Sequence, residues 1–302
     1  MIKLSLTHLI KYPLLSFSLT SVLLTSPIQT CFAEDSLHNQ VSNQAFSNLF
    51  VSHSSFLKDE SAWIGQRIYQ NECAANPKYL TYWGKGEDFP SLGIGHFIWY
   101  PGQVKQTFQE TFPQMVAFVS QYKTPPVWLT QLKPFKAPWQ TKDEFYQAWS
   151  NKPMQELRTW LLETQPYQAE FIIQQSQLRL SKALEQMTGS KAKNAKDYQQ
   201  MLNKLFAFKE GRFAVIDYIN FKGVGNASEQ YQGEQWGLFS VLSDMLLQPN
   251  ILNEDSTVLL QQFVKSAKTR LSLRVKLAPI QRDEQRWLRG WFTRLDGYLL
   301  TD

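Results

Sequence analysis

Glu72 follows Ile64 and Ile68 at steps of four residues, so the three share one face of any helix that carries them. A carboxyl on the inward face of a helix is partly stripped of water. That disfavours its charged form and raises its pKa, as a general acid near neutral pH requires. The same spacing suits a carboxylate that turns out to water or caps a neighbour, and periodicity alone leaves both open. About twenty residues later stands Ser91-Leu92-Gly93-Ile94-Gly95-His96, where two glycines among apolar β-formers permit close backbone approach. Glu87 and Asp88 are the nearest carboxylates before it. Cys73 and His96 suggest a thiol–imidazole pair, but Cys73 falls on a different helical face from Glu72 and suits a small, buried, apolar role. No Gly-x-Ser-x-Gly elbow occurs. His96 is the only histidine of the expected folded body, so no metal-ligand spacing exists, and neither metal nor cofactor is expected.

These groups need elements to hold them. The spacing predicts a first helix over Asp59–Cys73, ended by Asn76-Pro77. Leu80–Pro90 reads as loop or hairpin, and Ser91–Tyr100 as a strand closed by the turn Pro101-Gly102. Thr141 and Glu144 have capping-box spacing and open a helix through Trp149. Pro153 fits the first turn of the next helix. Tyr167–Met187 is long and amphipathic. Further helices are expected at 195–209, 211–221, 235–247, 255–276 and 280–299. The four prolines within 124–139 mark an ordered surface loop. The fold class is therefore α+β and mostly α-helical, with one small β-hairpin near residues 80–100.

Composition narrows the function classes. With 43% hydrophobic and 19% charged residues in 302, a packed core is expected rather than disorder. The net charge of +5 is dispersed, with no Lys/Arg block of the kind that binds nucleic acid. Lys3 and Lys11 precede an apolar stretch, Leu14–Leu24, too short to span a bilayer, which takes ~20 residues. Cys31-Phe32-Ala33 offers small residues at the positions that determine cleavage. Residues 1–33 thus read as a signal peptide cut after Ala33, and the protein as exported, periplasmic or secreted, with no stable membrane span afterwards. Cleavage removes two lysines and no acid, so the charge becomes +5 − 2 = +3, and Cys73 is left as the only cysteine. Residues 34–57 are polar and form a flexible lead-in to a folded domain over 58–302.

A helical Glu, a polar hairpin and a hydroxyl–apolar–Gly–Ile–Gly–His segment resemble the active-site region of phage-type lysozymes, the endolysin-like muramidases. The resemblance is specific over Arg67–Trp99 and diffuse beyond it. Asp217–Phe221 looks like a core helix of the second lobe. Arg286-Trp287 and Trp291–Leu295 resemble the Arg/aromatic helix that closes such folds. The resemblance implies a lysozyme-like fold that hydrolyses peptidoglycan or a related amino-sugar polymer. It implies Glu72 as general acid, Ser91 as the hydroxyl facing the cleft, and His96 as a structural residue bonded to a carboxylate. Asn220, Tyr231 and Trp236 become candidates to line the sugar cleft, although a plain helix–helix turn explains their segment as well. There are departures. The family's Asp, six residues before the hydroxyl, is Lys85 here. Either Glu87 supplies the second carboxylate, or the site works with one carboxyl, or activity is lost and a non-catalytic wall-binding protein remains. Residues 103–205 exceed what the smallest such lysozymes need and imply a helical insertion and an enlarged helical lobe.

Overall fold

The computed structural model describes residues 60–102, 104, 106, 108–187, 194–225 and 230–300. The expected signal peptide 1–33 and lead-in 34–57 lie outside the described residues. Helix α1 (60–73) buries Ile64 and Ile68 completely, as the four-residue spacing predicts, and Cys73 completely as well. Its chain leaves through left-handed Ala74 and Ala75. A 3-10 turn, Pro77–Leu80, follows; the Asn76 side chain accepts from the Lys78 N–H at 3.0 Å and caps it.

A three-stranded antiparallel sheet comes next, β1 (Thr81–Tyr82), β2 (Ser91–Leu92) and β3 (Phe97–Ile98). Ser91 lies between Tyr82 and Ile98 in the register. The single strand expected over Ser91–Tyr100 is thus a hairpin. Gly93 and His96 sit at φ +72° and +46°, and these left-handed residues reverse the chain between β2 and β3. The glycines were expected to serve close approach; Gly93 also serves the turn.

Gly93 tolerates no side chain. A Cβ there would lie 2.4 Å from Gln168 Oε1 and 3.1 Å from the Phe97 ring. Gln168 is fully buried and cannot simply swing away, because its Oε1 accepts from the Ile94 N–H at 3.0 Å while its Nε2 donates to Leu161 O and Thr164 Oγ1. Left-handed backbone costs a side-chain-bearing residue about 1–2 kcal/mol, and overpacking about 1–3 kcal/mol more. Gly93→Ala is therefore expected to lower stability by about 2–5 kcal/mol in urea denaturation. An unchanged midpoint would contradict this account of the turn.

The rest is largely helical: α2 (Phe112–Val119), α3 (Val127–Thr130), α4 (Lys142–Gln147), α5 (Lys152–Glu163), α6 (Gln165–Glu185), α7 (Ala195–Phe206), α8 (Lys209–Lys222), α9 (Leu238–Leu246), α10 (Ser256–Leu277) and α11 (Gln285–Asp296). Thr141 Oγ1 accepts from the Glu144 N–H at 3.2 Å, as the capping-box spacing predicts, although Glu144 returns to the N–H of Gln140 rather than of Thr141. Pro153 sits in the first turn of α5. Asp255 caps α10 by accepting from the Val258 N–H at 3.0 Å. Two expectations are corrected. The proline-rich segment 124–139 contains α3, which begins directly after Pro126, where a proline at a helix start loses no hydrogen bond. The helix expected over 235–247 begins only at Leu238, because β4 (Gln230–Tyr231) and β5 (Glu234–Gln235) form a hairpin through left-handed Gln232 and Gly233. Helix α8 is buried without a break from Gly211 to Ile219 and packs against α6, α7, α9 and α10. No described helix is long and apolar enough to cross a membrane.

Candidate functional site

Helix α1 is anchored at the start and the middle of its described length. Arg212 of α8 makes a bidentate pair with Glu60, at 2.9 and 2.6 Å. Arg67 donates to the Gly297 and Leu300 carbonyls at 2.7 and 3.2 Å. This fixes Glu72 one residue before the end of α1. Its Oε1 accepts from Arg294 Nη1 at 2.6 Å. The other edge of the same guanidinium grips Asp217, Nε to Oδ2 at 2.8 Å and Nη2 to Oδ1 at 2.7 Å. Tyr298 donates to Asp217 Oδ2 at 2.5 Å, and Asn71 reaches the same oxygen at 3.4 Å. Asp217 is wholly buried in a helix whose residues from Gly211 to Ile219 are all buried, so its charge demands such partners.

His96 approaches the other oxygen of Glu72, with Nδ1 3.5 Å from Oε2. The carboxylate that His96 meets is therefore the candidate acid itself. Tyr82 stacks on the imidazole at 6.3 Å between ring centroids. Burial pushes the Glu72 pKa up and is the largest influence on it. Arg294, His96 and Lys222, with the Arg294 hydrogen bond, together outweigh burial and hold it below the ordinary glutamate value. The raised pKa expected from helix periodicity is thus corrected. Periodicity places the carboxyl on a face; it carries no sign of a guanidinium that arrives from 222 residues away.

Cys73 Sγ lies 3.8 Å from His96 Nε2, which aligns thiol, imidazole and Glu72 carboxylate. The alignment does not make a nucleophile. Cys73 is fully buried, and burial, helped by the Glu72 charge, pushes its pKa up to about 12. In a Cys31→Ser background, thiol reagents are expected to label Cys73 only as fast as the protein opens. Rapid labelling of the folded protein would contradict its burial.

Glu87 lies on an exposed loop, yet its carboxyl folds back on that loop and accepts from the Gly84 N–H at 3.0 Å. Burial of that carboxyl raises its pKa, against the lowering by the Gly84 bond, His96 and Lys142. Ser91 is 7% exposed within the sheet. Neither lines the main groove.

That groove has a volume of about 1010 Å³. His96 lines it, and so do Asn220, Tyr231 and Trp236, all three of the candidate sugar-binding residues. The Tyr231 and Trp236 rings pack at 4.8 Å. Tyr231 donates to Glu284 Oε1 at 2.8 Å, and the Trp236 carbonyl accepts from Tyr218 at 2.7 Å. Glu72 is not on the groove wall; it stands behind His96, 17% exposed at its side chain. Sequence reasoning missed Gln168, Tyr298 and Glu284. Their one available signal is a polar residue among apolar ones, such as Gln168 beside Ala169 and Asp217 between Ile216 and Tyr218. Among the described residues no cluster of three His, Cys, Asp or Glu side chains gathers that could hold a metal ion. Compared with family models, curated proteins and solved structures, the chain finds no match.

Proposed function

We propose that the protein is an exported, lysozyme-like glycoside hydrolase that cleaves peptidoglycan or a related amino-sugar polymer, with Glu72 as general acid. One observation carries this reading. Asn220, Tyr231 and Trp236, separated in sequence from His96 by more than a hundred residues, line one groove with it, and His96 touches Glu72. The groove matches the upper range of small-molecule pockets, about 300–1,000 Å³, and so accommodates more than one sugar ring. Aromatic faces and amide groups are suited to the apolar faces and hydroxyl rims of sugars.

In this mechanism Glu72 gives its proton to the glycosidic oxygen as the C–O bond breaks. Water adds to the oxocarbenium-like carbon and returns a proton to Glu72. Arg294 and Asp217 hold the carboxyl in place. Arg294 also disfavours the protonated form in the free protein. Glu72 meets solvent only through the 17% of its side chain left open beside His96, and a sugar seated there strips that water and shifts its pKa upward in the complex. With Glu87 folded onto Gly84, no second carboxylate is assigned.

A second reading is a non-catalytic wall-binding protein on the same scaffold. It is favoured by the Arg294 contact, which keeps Glu72 ionised. Incubation with purified, insoluble peptidoglycan separates the two. Release of soluble fragments with new reducing ends, read by mass spectrometry, supports hydrolysis. Retention on the solid without release supports the binding protein. Absence of both removes both.

A further inference from the structure

The described groove wall carries five cationic residues, Arg179, Lys182, Lys222, Arg274 and Arg282, and no carboxylate. Glu284, fully buried at its side chain, sits behind two of them. It pairs with Arg274 at 2.7 and 3.0 Å and with Arg282 at 2.9 Å. Two guanidinium groups against one carboxylate leave one positive charge over. Lys222, when protonated, adds another. Its amine stands over the Phe221 and Trp291 rings at 3.9 and 3.6 Å, and Arg274 stacks on Trp236 and Trp291 at 4.3 and 5.1 Å. Among the described residues, neither the Lys222 amine nor Arg274 Nη1 meets a hydrogen-bond partner, while Nε and Nη2 of Arg274 are taken by Glu284.

Burial, then Arg274 and Arg294, drive the Lys222 pKa well down, against the opposing pull of Glu284 and Glu72. Gathering like charges on a cavity wall opposes folding unless a counter-charge arrives. The free amine and the free Arg edge supply the donors that an anion needs.

We infer that the groove holds an anion subsite close to Glu72, formed by Lys222, Arg274 and Arg282 with Lys182 of α6, which takes a carboxylate carried by the glycan. The inference rests on the proposed glycan reading and adds that the substrate is acidic. An arginine edge matches a carboxylate plane, and Lys222 adds a point charge. In peptidoglycan that carboxylate comes from the lactyl ether of the muramyl sugar or from the peptide stem.

Calorimetric titration tests it with four soluble probes: a peptide-free muramyl oligosaccharide, its lactyl carboxamide, a stem-bearing strand, and a neutral chitin oligomer of equal length. The acid forms are expected to bind at least about tenfold more tightly than the carboxamide and the chitin oligomer, with the margin shrinking as salt is added. A margin already present without stems assigns the lactyl group, and one present only with stems assigns the peptide. Lys222→Gln is expected to erase the margin. Lys182→Gln, at an exposed position of α6, should narrow it, and keeps the test open if the first variant fails to fold. Equal affinity for all probes, with cleavage intact, overturns the subsite and leaves the hydrolase reading standing. Acid preference without cleavage supports the subsite and removes the hydrolase reading. No binding of any probe overturns both.

Discussion

Arg294→Met is expected to destabilise the folded domain by about 3–5 kcal/mol, because it leaves two carboxylates without their shared cation. Arg294 makes two bonds to wholly buried Asp217 and one to Glu72, and its own side chain is 7% exposed. Methionine keeps much of the volume, so the loss reports the unpaired charge rather than a cavity. Arg294→Lys should recover only part of it, since a single ammonium cannot grip both carboxylates edge-on. Adding Asp217→Asn to Arg294→Met should return a large share of the loss, because the buried charge is then gone. The variant should also change the acid limb of stability. Glu72 has a folded pKa below its unfolded value, so its contribution is fully present above the ordinary glutamate pKa, ~4.3, and is lost as pH falls through the lower folded value. Without Arg294 that loss on acidification should shrink. A change below about 1 kcal/mol in urea denaturation at neutral pH would show that the network does not hold the fold.

Glu72→Gln is expected to lower turnover on an amino-sugar polymer by about 10²–10⁴-fold, the usual worth of general acid–base action. The fold should survive. Asp217 still pairs with Arg294 through two hydrogen bonds, and a glutamine oxygen can still accept from Arg294 Nη1. His96→Gln is a useful partner variant. It removes the imidazole beside Glu72 but not the carboxyl, so it should shift the pH profile far more than it lowers the maximal rate. A Glu72→Gln protein that folds normally and still turns over at the wild-type rate would place the acid elsewhere.

Much of the fold is legible because it rests on short-range signals. The buried face of α1 follows from Ile64 and Ile68. The start of α4 follows from Thr141 and that of α5 from Pro153. The grouping of Asn220, Tyr231 and Trp236 in one groove is a longer reach, made through resemblance. What sequence hides is what distant chain segments bring together. Glycines in Ser91–His96 suit a strand or a turn equally until Gly93 is seen against buried Gln168. Nor does sequence show that the Glu87 carboxyl accepts from the Gly84 N–H of its own loop. Above all, a carboxyl expected to be lifted by burial is lowered, because α11 delivers Arg294 to it. Asp217 was the available clue: an acid between Ile216 and Tyr218 in the middle of a helix calls for a cation, although sequence does not say which one.

The dependence of hydrolysis on pH tests the central claim most directly. The rate on a soluble amino-sugar oligomer is followed for wild type and Glu72→Gln. For wild type, kcat/KM reports the free protein and should fall as pH rises through a Glu72 pKa below the ordinary glutamate value. The corresponding fall in kcat reports the complex and should lie at higher pH, because bound sugar strips water from the carboxyl. Glu72→Gln should lack both limbs in its residual rate. The same limbs in Glu72→Gln as in wild type, or a wild-type rate that keeps rising through neutral pH, would contradict Glu72 as the proton donor.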